Sequence, residues 1–443
     1  MLQEKAWVVA VDMGYGHQRA AYPLRHLSPT GKVLIANNYQ GIPKKDFHTW
    51  NNTRRIYEFF SQTSNLPLIG HWVFGLLDQF QEIKPFYPRR DMSLPNLQVR
   101  QMYRLIHRRD FCRHLIDFLN QEDIPLIATF FTVAFAAEEH KFKNDIYLVV
   151  CDSDVSRAWV ALNPRKSRIK YFAPCHAVVE RLKTYGVPEK NIFLTGFPLP
   201  EENLGGSTFK ILKHNLAERV INLDPEHRYR DKYGETVKQY LTETAAVARH
   251  HHPLTITFAV GGAGAQRNIA RDIVWSLRKR LLKGEIKLNL VAGSRNDVYC
   301  YFSDLIDTYR LKSVLGKNLE IIFALEKEEY FRILNEKLRA TDILWSKPSE
   351  MVFYSALGLP VIMAPSLGSQ EVYNRTWLKT IGAGISQGDP SYTDEWLFDW
   401  IRSGWLAEAA MSGFLDGRQF GVKNIIDVLF HGVTEPAKDD SLL

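Results

Sequence analysis

Cysteine is scarce: Cys112, Cys151, Cys175 and Cys300 are the only four in 443 residues, and no two stand in CxxC spacing. That usage fits a reducing, cytosolic compartment. Long apolar runs are missing too. The most lipid-like stretch, "IPLIATFFTVAFAA" (124–137), contains Pro125 and falls short of the ~20 residues that a membrane-spanning helix needs, so any membrane contact is expected to be peripheral. The first residues lack the basic-then-apolar pattern of a secretion leader. No internal repeat and no low-complexity tract occurs, and no Gly-rich turn carries the lysine–serine pair of a phosphate-binding P-loop. His250, His251 and His252 are adjacent, so they cannot share a helix face in metal-ligand spacing; a solvated linker is expected there, and no metal site.

What the chain does contain is an ordinary globular composition, 45% hydrophobic and 24% charged. Its 443 residues suit two domains of roughly 150–200 residues each, with a cleft between them. A formal net charge of +7 favours an anionic contact, whether a nucleotide, nucleic acid or a phospholipid surface. Basic residues concentrate at 89–113, where Arg89, Arg90, Arg100, Arg104, Arg108, Arg109 and Arg113 face only Asp91 and Asp110. Just before them, residues 64–81 are dense in Leu, Ile, Val, Trp and Phe, which suits either core packing or a lipid-contacting surface.

Apolar runs alternate with helical patterns in two series. The first comprises "AWVVAVD", "KVLIANN", "IPLIATFF", "IYLVVCD", "IKYFAP" and "NIFLTG"; the second "LTITFAVGG", "LNLVAGS", "LEIIFAL", "DILWS" and "LPVIMAP". Continuous apolar strands separated by helices predict parallel sheets buried on both faces, hence a doubly wound α/β protein. Residues 1–200 and 254–395 are the two expected domains. Residues 201–253, charged and without a strand-like run, are a linker or helical insertion, and residues 396–443 are closing helices able to cross back to the first domain.

Two Gly-rich turns follow the first strand of each series. In "VVAVDMGYGHQRAA" (8–21), Gly14 and Gly16 bracket the turn and His17 opens the helix; Arg19 stands where a dinucleotide fingerprint needs a small residue. In "FAVGGAGAQRNIARDIVWSL" (258–277), Gly261, Gly262, Ala263 and Gly264 lead into a helix whose unpaired N–H groups suit a pyrophosphate, or else merely make a tight turn. A third stretch, 340–374, reads as strand, turn, helix, strand and a polar loop carrying Ser366, Ser369, Gln370, Glu371 and Asn374. Polar side chains after the carboxyl end of a parallel strand lie where such sheets bind ligands, and Gln and Glu suit a hydroxyl-rich one. Asp152 and Asp154 are two apart on an extended segment and so point oppositely, which disfavours a glycosidase pair.

Taken in order, "DMGYGHQRAA", Asp152 after "YLVVC", "YGVPEKNIFLTGFP", "VGGAGA", "GSRN", "SKP", "ALGLP" and "GSQEVYN" resemble the GT-B glycosyltransferases of family 28. The nearest branch is the monogalactosyldiacylglycerol synthases and diacylglycerol glucosyltransferases. The resemblance implies two Rossmann-like domains facing a central cleft, an acceptor domain first and a nucleotide-sugar domain second. It implies transfer of a hexose from a UDP-sugar to a lipid hydroxyl, with inversion, on the inner face of a membrane. Nucleic acid is not expected as a partner, and no cofactor is required beyond the sugar nucleotide.

Carried over residue by residue, the resemblance makes His17 the general base, held by the Gly14–Gly16 acceptor loop, with Asp152 as a second catalytic group. Gly261, Gly262, Ala263 and Gly264 would hold the diphosphate. Arg295 and Asn296 would lie near the diphosphate or nucleoside, Phe323, Ala324 and Leu325 near uracil, and Lys347 and Glu350 on the donor side. Ser369, Gln370 and Glu371 would meet the sugar hydroxyls, supported by Asn374. Two positions depart from the family: Ser355 replaces the glutamate that holds the ribose, and Phe130 and Phe131 replace its Thr-His-Pro after Thr129. A nucleotide-sugar epimerase or hydrolase of the same fold, and a non-catalytic sugar-nucleotide binder, stay open beside the transferase.

Overall fold

In a computed structural model of the chain, residues 4–52, 83–245, 252–260, 264 and 266–433 are described. The apolar segment 64–81 and Gly261, Gly262 and Ala263 lie outside the described residues. The chain divides into two units. Unit 1 comprises Met1–Leu199, Leu367–Asn374 and Arg418–Asp440; unit 2 comprises Pro200–Ser366, Arg375–Gly417 and Ser441–Leu443.

Unit 1 is built on β1 (Trp7–Ala10), β2 (Leu34–Ile35), β3 (Leu126–Ala128), β4 (Ile146–Val149), β5 (Lys170–Ala173) and β6 (Ile192–Leu194). These strands form one parallel sheet in the order β2-β1-β3-β4-β5-β6. The strands fall in the predicted apolar runs because β1, β3 and β4 are buried at every position, with helices on their faces. Residues 124–137 do not form one apolar element. They split into β3 and the Phe131–Glu139 helix, whose residues are buried through Ala137. The Gly421–Phe430 helix belongs to this unit: Asn424 Nδ2 donates to the Thr195 carbonyl (2.8 Å), and Gly421 lies so close to the Phe197 carbonyl that a Cβ would sit 2.1 Å from its oxygen. Only glycine permits that approach.

Unit 2 carries β7 (Leu254–Ala259), β8 (Ile286–Gly293), β9 (Leu319–Phe323), β10 (Ile343–Ser346), β11 (Val361–Met363) and β12 (Gly384–Ser386), again all parallel, in the order β12-β11-β10-β7-β8-β9. Residues 201–253 contribute the Glu201–Leu204, Lys210–Leu223 and Arg228–Ala245 helices to this unit. The middle one is fastened by Arg219, which is 2% exposed and donates to the carbonyls of Thr341, Leu357 and Gly358 at 2.8–2.9 Å. Burial lowers its pKa to about 10. What the sequence offers as a charged insertion is therefore a packed wall of unit 2, because one buried guanidinium satisfies three carbonyls where β10 begins and where the chain turns towards β11.

In a doubly wound sheet, ligands bind outside the carboxyl ends of the strands where the strand order reverses. In unit 1 that point lies between β1 and β3; in unit 2 it lies between β7 and β10. Both Gly-rich turns leave strands that border a reversal.

Candidate functional site

At the unit 1 reversal, β1 runs into Asp12, Met13 and Gly14 (φ +92°), and the chain then enters the Gly16–Ala21 helix. The left-handed conformation at Gly14 lets the turn close within a few residues of the strand. Asn37, which follows β2 and is 4% exposed, receives the Asp12 N–H on Oδ1 (2.7 Å) and donates to the Asp12 carbonyl (3.2 Å), so the turn is pinned from the neighbouring strand. His17 stands on the first turn of the helix, half-buried, with its ring 4.8 Å from that of Phe130 and 5.9 Å from that of Trp159. Its Nδ1 lies 2.8 Å from the Thr129 carbonyl, just past β3. A carbonyl can only accept, so Nδ1 carries the proton and the lone pair of the neutral ring is on Nε2. The bond spans the two strands at the reversal and fixes the orientation of the ring.

The wall beside Trp159 is held by Arg157, 6% exposed, which donates to the carbonyls of Ser93, Val160 and Ala161. Burial lowers its pKa. Asp152 and Asp154 follow β4 and part company as expected. Asp154 makes a two-point ion pair with Arg181 (2.8 and 2.7 Å), itself fully buried, and burial pushes its carboxyl up against the pull of that guanidinium. It is a structural pair. Asp152 instead accepts from Asn374 Nδ2 (2.8 Å), while Asn374 Oδ1 receives the Ser153 N–H (2.8 Å). Tyr373 OH donates to the Ile83 carbonyl (2.9 Å), and its ring lies 5.8 Å from the Arg181 guanidinium.

Those contacts place residues 367–374 in unit 1. The predicted polar loop is also not a loop: Ser369, Gln370, Glu371 and Asn374 all lie on the Ser369–Thr380 helix. The reason is local. Glu371, in the first turn, turns its carboxylate back so that Oε2 accepts the Leu367 N–H (2.7 Å), capping the helix start.

In unit 2, Gly264 follows β7 with φ +66°, and a Cβ there would lie 2.9 Å from Val298 Cγ2 and 3.6 Å from Arg295 Nε. The Arg267–Lys283 helix starts three residues later behind Gln266, 7% exposed, whose Nε2 donates to the Pro365 carbonyl after β11 (2.6 Å). Arg295 precedes the Asn296–Thr308 helix and makes a two-point pair with Asp297 (3.0 and 3.1 Å); that hydrogen bond holds the Asp297 carboxyl below its ordinary value. Phe323 ends β9 with its ring 4.9 Å from Tyr299, the Ala324 N–H donates to the Gly293 carbonyl (3.0 Å), and Leu325 is 74% exposed. Lys347 and Glu350 follow β10, both half-buried, at the strand bordering the reversal. Residues 350–357 form a 3-10 helix, Glu350–Leu357. Ser355 on it is fully buried, and a Cβ at Gly413 would lie 2.5 Å from its carbonyl oxygen and 3.1 Å from its Cβ. The position is packed against the Trp405–Asp416 helix, so a glutamate has no room here.

A family model described as "Domain of unknown function (DUF6938)" matches residues 235–389. No curated protein matches the sequence. Among solved structures, S. aureus MnaA in a co-structure with UDP is 12% identical with TM-score 0.50, covering 98% of this chain and 99% of that one. The chain has the two-domain, Rossmann-like GT-B fold. Similarity extends at TM-score 0.46 and 12% identity to the UDP-GlcNAc 2-epimerase from Neisseria meningitidis bound to UDP-GlcNAc, covering 97% of this chain and 99% of that one. For Acinetobacter baumannii MurG the TM-score is 0.43 at 12% identity, covering 84% and 95% of the two chains.

Within this GT-B chain, sequence reasoning missed Thr129, Trp159, Asn37 and Gln266. Three of them sit just past a strand end or at a helix start, a position any apolar run followed by a polar residue signals. Trp159 carried no such signal, since it depends on how Arg157 folds its segment.

Proposed function

We propose that the protein is a glycosyltransferase that moves a hexose from a UDP-sugar to the hydroxyl of a membrane lipid such as diacylglycerol. The observation that carries this reading is the hydrogen bond from His17 Nδ1 to the Thr129 carbonyl at the strand reversal, which orients the imidazole and supports Nε2 as the basic nitrogen of the neutral ring. Nε2 takes the proton of the acceptor hydroxyl, the oxygen attacks the anomeric carbon, and the bond from that carbon to UDP breaks with inversion. The departing diphosphate collects negative charge. The turn carrying Gly264 and the first N–H groups of the Arg267–Lys283 helix suit it, and Gly261, Gly262 and Ala263 complete the turn in sequence.

Unit 2 is the donor unit in this reading: Arg295 and Asn296 serve the diphosphate or nucleoside, the backbone at Phe323, Ala324 and Leu325 the base, and Lys347 and Glu350 the donor side, with Glu350 offered for the ribose that Ser355 does not reach. Ser369 and Gln370 meet the sugar hydroxyls. Glu371, whose Oε2 caps its helix, serves the same hydroxyls. Asp152 orients the acceptor and is itself oriented by Asn374. The co-structure of MnaA with UDP supports a uridine nucleotide. The basic residues at 89–113 support peripheral binding to the anionic inner face of a membrane, with diacylglycerol-type lipid as acceptor.

The test is product analysis with radiolabelled UDP-hexose, with and without a membrane lipid extract. Label in the organic phase only when extract is present is the expected result. Consumption of UDP-sugar without acceptor makes the protein an epimerase or hydrolase, and binding without consumption makes it a sugar-nucleotide binding protein.

A further inference from the structure

Away from His17, unit 1 has a cavity of ≈ 410 Å³ lined by Lys45, Asp46, His48, Thr49, Asn52, Arg109 and Phe111. Its construction is regular. Residues 44–52 are helical, and Lys45, His48, Thr49 and Asn52 stand at i, i+3, i+4 and i+7, one face of that helix. Opposite is the carboxyl end of the Leu97–Arg109 helix, joined to the first by a hydrogen bond from Lys45 Nζ to the Arg109 carbonyl (3.2 Å). The floor is Phe111, 2% exposed, its ring tilted against that of the buried Trp50 with centroids 5.0 Å apart.

Charge balance follows from burial. Among the described lining residues the one carboxylate, Asp46, is 3% exposed and accepts the Cys112 N–H. Lys45 and His48 are exposed in the same lining as Arg109, and the Lys45 charge also acts on the Asp46 and Asp110 carboxyls. The basic helix continues the same field: Val99, Tyr103 and Ile106 are its buried face, and Arg100, Arg104 and Arg108, at i, i+4 and i+8, are exposed along its outer face. Among the described residues no carboxylate lies in ion-pair range of those three or of Arg109. A stripe of guanidinium groups with no ion-pair partner among the described residues therefore ends at a cavity lined by a lysine, an arginine and a histidine beside an aromatic ring.

We infer that this cavity is a binding site for the phosphate group of a small phosphoester, with Lys45 and Arg109 as the anion-holding pair and His48, Thr49 and Asn52 as polar contacts for the organic part. Lysine meets phosphate as a point charge and arginine as a fork of donors, and the volume admits a group of glycerophosphate size. The site is separate from the transfer chemistry proposed above, and its test does not depend on that chemistry. A soluble metabolite and a lipid headgroup share this chemistry, and the two sources are told apart by the probe.

Calorimetry of the full chain with sn-glycerol 3-phosphate, inorganic phosphate and glycerol is run beside co-sedimentation with phosphatidylcholine vesicles, with and without phosphatidylglycerol. Glycerol is expected not to bind. Glycerol 3-phosphate is expected to bind, and Lys45→Ala and Arg109→Ala each to weaken it about tenfold, the loss of one charge-assisted hydrogen bond. Binding to phosphatidylglycerol vesicles alone, lost on the same two substitutions, identifies a lipid headgroup as the source and equally supports the site. Far-UV circular dichroism of each variant checks folding, and Arg100→Ala, on the stripe outside the cavity, is the control. Binding that is unchanged by Lys45→Ala and Arg109→Ala, or lost only on Arg100→Ala, overturns the inference, as does no binding to any phosphate probe.

Discussion

His17 draws its chemical character from one hydrogen bond. With Nδ1 committed to the Thr129 carbonyl at 2.8 Å, the ring is oriented and its tautomer chosen before any substrate arrives. His17→Ala is expected to lower turnover by about 10²–10⁴-fold while leaving the affinity for UDP unchanged, read by single-turnover rates beside calorimetry. Equal loss of affinity and turnover would make His17 a binding residue. Asn374 is a second residue-scale case, fully buried and bonded to both Asp152 and the Ser153 N–H. Asn374→Ala leaves a carboxylate oxygen and an N–H without their partner and is expected to cost about 2–3 kcal/mol in urea unfolding. Asn374→Asp is expected to cost more, because it sets a second carboxylate against Asp152. A smaller loss for Asp than for Ala would remove the Asp152 contact from the account.

At the scale of elements, each Gly-rich turn is a strand end converted within a few residues into a helix start. Gly264 combines φ +66° with a neighbour, Val298 Cγ2, that a Cβ would meet at 2.9 Å. Gly264→Ala therefore strains the turn by about 1–2 kcal/mol and is expected to weaken UDP binding severalfold in calorimetry and to lower the melting temperature by a few degrees. The start of β7 and β10 holds a titrating group of another kind. Asp342, 1% exposed, is pushed up to about 6 by burial, against the pull of His252, the Thr255 N–H, Arg219 and Asn222. Its folded pKa thus lies above its ordinary value of 3.8, so the folded chain holds the proton more tightly than the unfolded one. The stability this contributes is full below pH ~4 and is lost as pH rises through about 6. Urea midpoints are expected to fall across that window in the wild type and to be flatter in Asp342→Asn; a parallel pair of curves would assign the pH dependence elsewhere.

For the whole molecule, a ligand that binds only the folded chain adds RT ln(1 + [L]/Kd), about 2.7 kcal/mol at a hundredfold excess over Kd. UDP is expected to raise the unfolding midpoint accordingly and ADP not to; equal shifts from both would sink the uridine assignment. With a net charge of +7, binding to phosphatidylglycerol vesicles is expected to fall steeply as salt rises.

The amino-acid sequence by itself determined the two series of parallel strands apart from the edge strand β12, which has no long apolar run, and the turns at Gly14 and Gly264 with the residues that open the following helices. These are local properties: apolar runs follow the burial of a strand on both faces, and positive φ follows from glycine at the turn. Tertiary structure alone decided that His17 meets Thr129, 112 residues away, and that Asn374 meets Asp152, 222 residues away. It also decided that Ser355 is spent on packing and that a charged insertion becomes a wall through Arg219. Such pairings depend on strand order and on which helix covers which face, and neither leaves a periodic trace in the chain. A polar residue looks the same in sequence whether it awaits a ligand or satisfies a distant backbone group, and only the fold supplies the partner that tells the two apart.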